Sequence, residues 1–192
     1  MGEMDMPPKF KFSREQIVGA ALELVRKEGA QGMTARAVGQ ALGSSSKVIF
    51  SLFRNMEDLQ KEVFKGAYTH YLSFLQQDMD SGKYPPYKAM GMAYIRFAIE
   101  ERELFKFLFM REHSFPEQFN GPDFDLSVEM IQKANGISGD RAALLHTEMW
   151  VCVHGIATMH ATSFLTLEED LISRILTDTY FGLRHRHTIG EE

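Results

Sequence analysis

The chain has 192 residues, 44% hydrophobic and 24% charged, which suits one compact chain of one or two small domains with a substantial core. No apolar run reaches the length of a membrane helix, the N-terminus lacks the apolar core of a signal peptide, and Cys152 is the only cysteine. Neither a membrane span nor a secretory leader is expected, no intrachain disulfide can form, and a reducing, cytoplasmic setting follows. The net charge of −5 hides an asymmetry. Between Lys9 and Met56 eight basic residues (Lys9, Lys11, Arg14, Arg26, Lys27, Arg36, Lys47, Arg54) face Glu15, Glu23 and Glu28, a local charge of +5 that leaves −10 for the remainder. A basic head on an acidic body orients a protein toward phosphate without making its whole surface adhesive.

Residues 1–8, with Pro7-Pro8, read as a flexible lead-in. Ser13-Arg14-Glu15-Gln16 has the form of a capping box and opens a helix with Ile17, Ala21, Leu24 and Val25 on one side; Lys27 lies near its end and Gly29 is its stop. Thr34 is the N-cap of a second helix, whose Val38, Ala41 and Leu42 form an apolar face and which Gly43 terminates in the left-handed conformation. Ser44 or Ser45 then caps a third helix ending in Phe53, with Ile49 and Phe53 facing inward. Asn55 caps a fourth, where Glu57 and Asp58 complement the dipole. Two short helices around a Gly-containing turn can lay the second in a DNA major groove.

The stretch FSREQIVGAALELVRKEGAQGMTARAVGQALGSSSKVIFSLFRNMEDL resembles the helix-turn-helix of the TetR family of one-component transcriptional regulators. Phe50 stands where that family usually has Tyr, Leu52 where His is common, and Met56 where a Lys often reaches a phosphate, so fewer phosphate contacts are implied. Ser44, Ser45, Ser46, Lys47 and Val48 lie at the exposed start of the recognition helix, where base edges are read. Lys47 can make a charged contact there and Val48 can press on a thymine methyl. Thr34, Arg36, Ser51 and Arg54 flank the groove as phosphate contacts, Phe50 is either groove wall or core, and Lys9 and Lys11 form an arm along the backbone.

Beyond Leu59 helical spacing continues without strand alternation. Helices are expected over 56–79 (with Leu59, Val63, Phe64, Ala67, Tyr71, Phe74 and Leu75 inward), 86–100, 103–111, 123–134, 140–164 and 168–183, with breaks at 80–86, at Pro116 to Pro122 and at 136–139. That is an all-α chain of about nine helices, the number the resemblance implies. It divides into the lead-in, a DNA-binding domain over 9–55, an effector-binding and dimerisation domain over 56–187, and a tail over 188–192. Trp150, His154 and Gly155 resemble the Trp-His-Gly signature of one class of TetR-like C-terminal domain. Trp150 and His154 share a helix face, and they either pack in the core beside a close helix crossing at Gly155 or contact a ligand.

Flexible and aromatic side chains (Met90, Tyr94, Phe97, Phe109, Met110) crowd the middle helices and, with Trp150 and His154, can line a site for a small, mostly apolar or aromatic effector. Met149, Val153, Ile156, Ala157, His160 and Phe164, with Leu171, Ile172, Ile175 and Leu176, offer more apolar surface than one face buries and are assigned to a homodimer. His146, His154 and His160 lack metal-ligand spacing, Glu148 and Cys152 are a weak pair, and no nucleophile has an evident base, so neither enzyme activity nor a metal or cofactor is expected. The reading is a dimeric, ligand-released repressor of a palindromic double-stranded operator. The alternative is a helical ligand-binding or partner-interaction dimer that has lost useful DNA binding.

Overall fold

Ser13 opens the first helix as a complete capping box. Its hydroxyl accepts the Gln16 N–H at 3.2 Å, and its own N–H donates to Gln16 Oε1 at 2.8 Å. The computed structural model describes residues 12–110 and 122–189; the lead-in, Lys9, Lys11 and the last three residues lie outside them, as does the loop around Pro116. Among the described residues the chain is all-helical: α1 (Arg14–Glu28), a 3-10 turn (Ala30–Gly32), α2 (Ala35–Ala41), α3 (Lys47–Phe50), α4 (Met56–Asp80), α5 (Pro86–Glu100), α6 (Arg102–Phe109), α7 (Pro122–Asn135), α8 (Gly139–Ala161) and α9 (Glu169–Ile189). Two compact units divide between Thr69 and His70, inside α4.

In the first unit α1 buries Ile17, Ala21 and Val25, at a spacing of four, and stops at Gly29 with φ 77°. Thr34 caps α2 by accepting the Ala37 N–H at 3.1 Å, and Asn55 caps α4 through the Asp58 N–H at 2.9 Å. The turn between α2 and α3 is a Schellman motif. Gly43 sits at φ 61°, its N–H reaches the Gln40 carbonyl at 2.9 Å, and the Ser44 N–H reaches the Gly39 carbonyl at 2.8 Å.

That bond corrects the expected cap. Ser44 belongs to the end of α2, so α3 opens at Ser46, whose side chain makes no cap bond. α3 is also shorter than expected, ending at Phe50 and leaving Phe53 in the following turn, although the Phe53 N–H still reaches the Ile49 carbonyl at 2.9 Å. Ala41 is exposed, so α2 faces inward through Val38 and the half-buried Leu42.

In the second unit α5 is buried nearly all round (Ala89, Met90, Met92, Ala93, Tyr94, Ile95, Phe97, Ala98), the pattern of a helix at the centre of a core. It packs chiefly on α8 and also on α6, α7 and α9. Gly91 makes room there, because a Cβ at that position would stand 3.3 Å from Val153 and 3.4 Å from Leu176. α8 ends at Ala161, three residues before the expected Phe164. Ser163 takes the left-handed position at φ 57°, and the Phe164 N–H bonds the Met159 carbonyl at 3.0 Å, a second Schellman turn made without glycine. α9 runs past its expected end at 183 to Ile189, and its His187 bonds Glu148 on α8 at 2.7 Å.

Gly39 is the glycine of the first unit that is crowded by backbone. A Cβ there would stand 2.8 Å from the backbone C of Ser45 and from the N of Ser46, in the segment that leads into α3. Backbone cannot swing aside as a side-chain end can. Gly39→Ala is therefore expected to displace α3 and to destabilise the first unit by ~1–3 kcal/mol, the usual cost of overpacking. Denaturant unfolding beside the unaltered protein measures it, and an unchanged midpoint would show that the contact is not constraining.

Candidate nucleic-acid interface and effector face

The single turn of α3 sorts its residues by face. Ile49 and Phe53 are 0% and 1% exposed, whereas Lys47 and Phe50 lie three apart on the open side, Phe50 52% exposed. Phe50 is therefore not a core residue. Ser45 is exposed and Ser44, Ser46 and Val48 are half-buried beside Lys47. Thr34 and Arg36 are exposed on the first turn of α2. Thr34 uses its oxygen as an acceptor for the cap, so its hydroxyl proton stays available to a phosphate. Ser51 donates its hydroxyl proton to the Val48 carbonyl at 2.7 Å and is less suited to that role. The Arg54 side chain is 87% exposed, with Nη2 3.5 Å from Asp58 Oδ1. The Arg54 backbone N–H holds the Asp58 carboxyl below its ordinary pKa, aided by the Arg54 side chain.

Sequence reasoning missed two positioning residues. Arg14 lays its guanidinium 4.1 Å above the Phe53 ring and donates to the Leu52 carbonyl, tying α1 to the turn after α3. Gly39 lets α2 approach the start of α3, as described above. Nothing in composition or spacing marks either role, since both depend on the packed turn.

The aromatic side chains of the second unit gather around His154. Trp150 stacks on it with ring centroids 4.9 Å apart and an interplanar angle of 13°. The Tyr94 hydroxyl lies 2.9 Å from His154 Nδ1. Burial lowers the His154 pKa and raises that of Tyr94, which keeps both groups neutral. A phenol is the stronger donor and an imidazole nitrogen the stronger acceptor, so the bond is assigned as Tyr94 O–H to His154 Nδ1, with the ring proton on Nε2. Phe105 and Phe109 stand 5.3 Å and 5.0 Å from Tyr94, and Tyr71 packs edge-on to Tyr94 and Phe97 at 5.8 Å and 5.4 Å. Tyr94, Phe97, Phe109, Trp150 and His154 are thus one connected cluster. Met90 points instead to Ser127, whose Oγ is 3.9 Å from its sulfur, and Met110 is 38% exposed at the end of α6.

A second pair repeats the theme. The Tyr87 hydroxyl lies 3.0 Å from His146 Nδ1, and burial pulls His146 down to about 4. Glu148 pairs with His187, and Cys152 lies 4.0 Å from Thr179. Among the described residues no group of three or more His, Cys, Asp or Glu side chains is placed to hold a metal.

The residues assigned to a dimer fall into two sets. Met149, Val153, Ile156, Ala157, His160, Ile172 and Leu176 are buried within one chain, and Ile175 is half-buried. Leu171 and Phe164 are 37% and 81% exposed. The uncovered apolar residues of α8 and α9 are Leu144, Val151, Leu171 and Phe181. Gly155 and Gly182 have open space where a Cβ would stand, so among the described residues no close crossing occurs at Gly155. His160 uses Nε2 to accept the Leu167 N–H at 3.2 Å and pins the loop between the two helices.

Residues 87–178 match the family model of the tetracyclin repressor-like C-terminal domain. The uncharacterized HTH-type transcriptional regulator YobS of Bacillus subtilis (strain 168) is 19% identical over 172 residues, 88% of this chain and 90% of its own length. A solved structure of a protein of unknown function from Rhodococcus sp. RHA1 shares the fold at TM-score 0.72 and 19% identity, covering 95% of this chain and 100% of its own. A candidate transcriptional regulator from Pseudomonas aeruginosa PAO1 does so at TM-score 0.70 and 16% identity, over 90% of each chain. Residues 87–178 thus form a tetracyclin repressor-like C-terminal domain, with a helix-turn-helix ahead of it.

Proposed function

We propose that this chain is a TetR-family transcriptional regulator, a ligand-released repressor that binds a palindromic operator as a cytoplasmic homodimer. The observation that carries the DNA reading is the two-sided α3: Ile49 and Phe53 anchor it inward, which leaves Lys47 and Phe50 as the outward pair. Ser44, Ser45, Ser46 and Val48 complete the base-reading surface, and Thr34, Arg36 and Arg54 supply phosphate contacts. The uncovered face of α8 and α9 (Leu144, Val151, Leu171, Phe181, with Gly155 and Gly182 for close approach) is where a second copy docks to form a four-helix bundle. Two such heads read half-sites roughly 10 base pairs apart.

The effector is a small, mostly apolar or aromatic molecule held at the Trp150–His154 cluster. α4 starts in the first unit, and its later turns carry His70, Tyr71 and Phe74 into the aromatic core of the second. His70 also bonds the buried Glu101 at 3.1 Å. A ligand that rearranges this core acts on a helix continuous with the DNA-reading unit. A differential affinity of ~1–3 kcal/mol between two states is enough to couple them.

Two experiments test this reading. Lys47→Ala is expected to weaken operator binding by ~1–3 kcal/mol and to relax the preference at its base pair, while Arg54→Ala weakens all sequences alike and lowers the salt slope by about one per protomer. Quantitative binding over a salt series separates the two. If both variants bind as the unaltered protein does, α3 is not the reader, and the reading passes to a ligand-binding dimer without DNA function. Separately, Val151→Glu puts a charge on the uncovered face and is expected to give monomers at micromolar concentration by light scattering, whereas a persisting dimer would place the interface elsewhere.

A further inference from the structure

Two polar groups on the effector face of α8 have no protein partner among the described residues. His154 has Nδ1 committed to the Tyr94 hydroxyl, which leaves an Nε2–H donor in fixed orientation. One turn further along the same face, the Thr158 hydroxyl oxygen is buried and makes no hydrogen bond. A buried hydroxyl without a partner carries its desolvation cost uncompensated, and native cores rarely tolerate one without a reason. Thr147, Thr162 and Thr188 show the usual helical solution, each returning its hydroxyl to the carbonyl four residues back. Thr158 does not.

We infer that His154 Nε2–H and the Thr158 hydroxyl together hold a hydrogen-bond acceptor on the effector, which is therefore an uncharged, planar aromatic molecule bearing a carbonyl group. This deepens the effector reading above and rests on it. The planar requirement comes from the wall of rings: Trp150 lies parallel to His154, and Phe105 is tilted from it by only 33° at 6.0 Å. The absence of charge comes from the surroundings. Among the described residues no charged side chain bonds His154 or Thr158, so a carboxylate held by these two groups would lose its hydration without gaining a cation. A ligand cation would meet a donor in place of an acceptor. Because Thr158 Oγ1 is closed to solvent, the acceptor reaches it only by opening the cluster, and that links binding to rearrangement of the core.

Trp150 is the chain's only tryptophan, so its emission reports this face directly. The test titrates the full-length protein with three probes of one shape, following calorimetric heat and Trp150 emission: 2-acetylnaphthalene, its isostere 2-isopropenylnaphthalene, in which C=CH2 replaces C=O, and 2-naphthoate. The ketone is expected to bind at least about tenfold more tightly than the alkene or the anion, as one satisfied buried donor implies. That preference disappears in His154→Phe, which keeps a ring against Trp150. It shrinks in Thr158→Val, which keeps the shape, removes the unpartnered hydroxyl and does not lower the unfolding temperature of the free protein. Thr158→Val decides the matter if His154→Phe does not fold. Equal affinity for ketone and alkene, or a preference unchanged in the variants, overturns the carbonyl assignment and leaves the aromatic effector reading standing. Tightest binding of 2-naphthoate overturns the uncharged class. No binding of any probe to folded protein overturns both this inference and the assignment of the effector to this face.

Discussion

A helix of one turn cannot hold itself together, because fixing its first turn costs more backbone entropy than its few hydrogen bonds return. α3, at four residues, exists only because the rest of the first unit clamps it. Val38 and Gly39 of α2 lie beneath it, the absent Cβ of Gly39 admits the Ser45–Ser46 backbone, Ile49 and Phe53 anchor it in the core, and Arg14 reaches from α1 to the turn that follows. The surface offered by Lys47 and Phe50 is therefore a property of the whole unit. A change at Gly39 or Arg14 bears on that surface as directly as a change in Lys47 or Phe50 themselves.

The second unit is organised by a different constraint. α5 is enclosed on nearly every side, so the polar atoms it carries into the core need partners there. Tyr87 and Tyr94, two turns apart, each meet a histidine of α8 through Nδ1, at 3.0 Å and 2.9 Å. Both histidines are held neutral by burial, and each tyrosine fixes its partner's tautomer. The two pairs differ in their neighbours. Tyr87–His146 sits beside Phe124 and Tyr180, with Asn135 bonded to the Tyr180 hydroxyl at 2.8 Å. Tyr94–His154 sits beside Trp150 and within one turn of the unpartnered Thr158. What sets the second pair apart is the unpartnered Thr158 hydroxyl one turn away, and the proposed effector is placed there for that reason.

Features fixed by hydrogen bonds within a few residues were legible in the sequence. Ser13, Thr34 and Asn55 cap the helices expected of them, and Gly29 and Gly43 end theirs. The misplaced boundaries have local causes of a subtler kind. Ser44 was absorbed into the Schellman turn of α2, and α8 stops where Ser163 adopts a conformation that glycine usually signals. Partners far apart in sequence were not legible: Tyr94 and His154 are separated by 60 residues, and no periodicity links them. The division of the α8 and α9 residues has the same origin. Periodicity marks both helices as apolar on more than one side, but only the position of α5 decides that Val153 and Leu176 face inward while Val151 and Phe181 stay uncovered.

The most direct test of a DNA-reading dimer is selection of genomic fragments by the purified full-length protein at moderate salt, followed by sequencing, with its mass in solution measured alongside. The account predicts a dimer that enriches a palindromic site with half-sites roughly 10 base pairs apart, and enrichment that fades steeply as salt rises from about 50 to 200 mM. Folded, dimeric protein that enriches no sequence at any salt would contradict it.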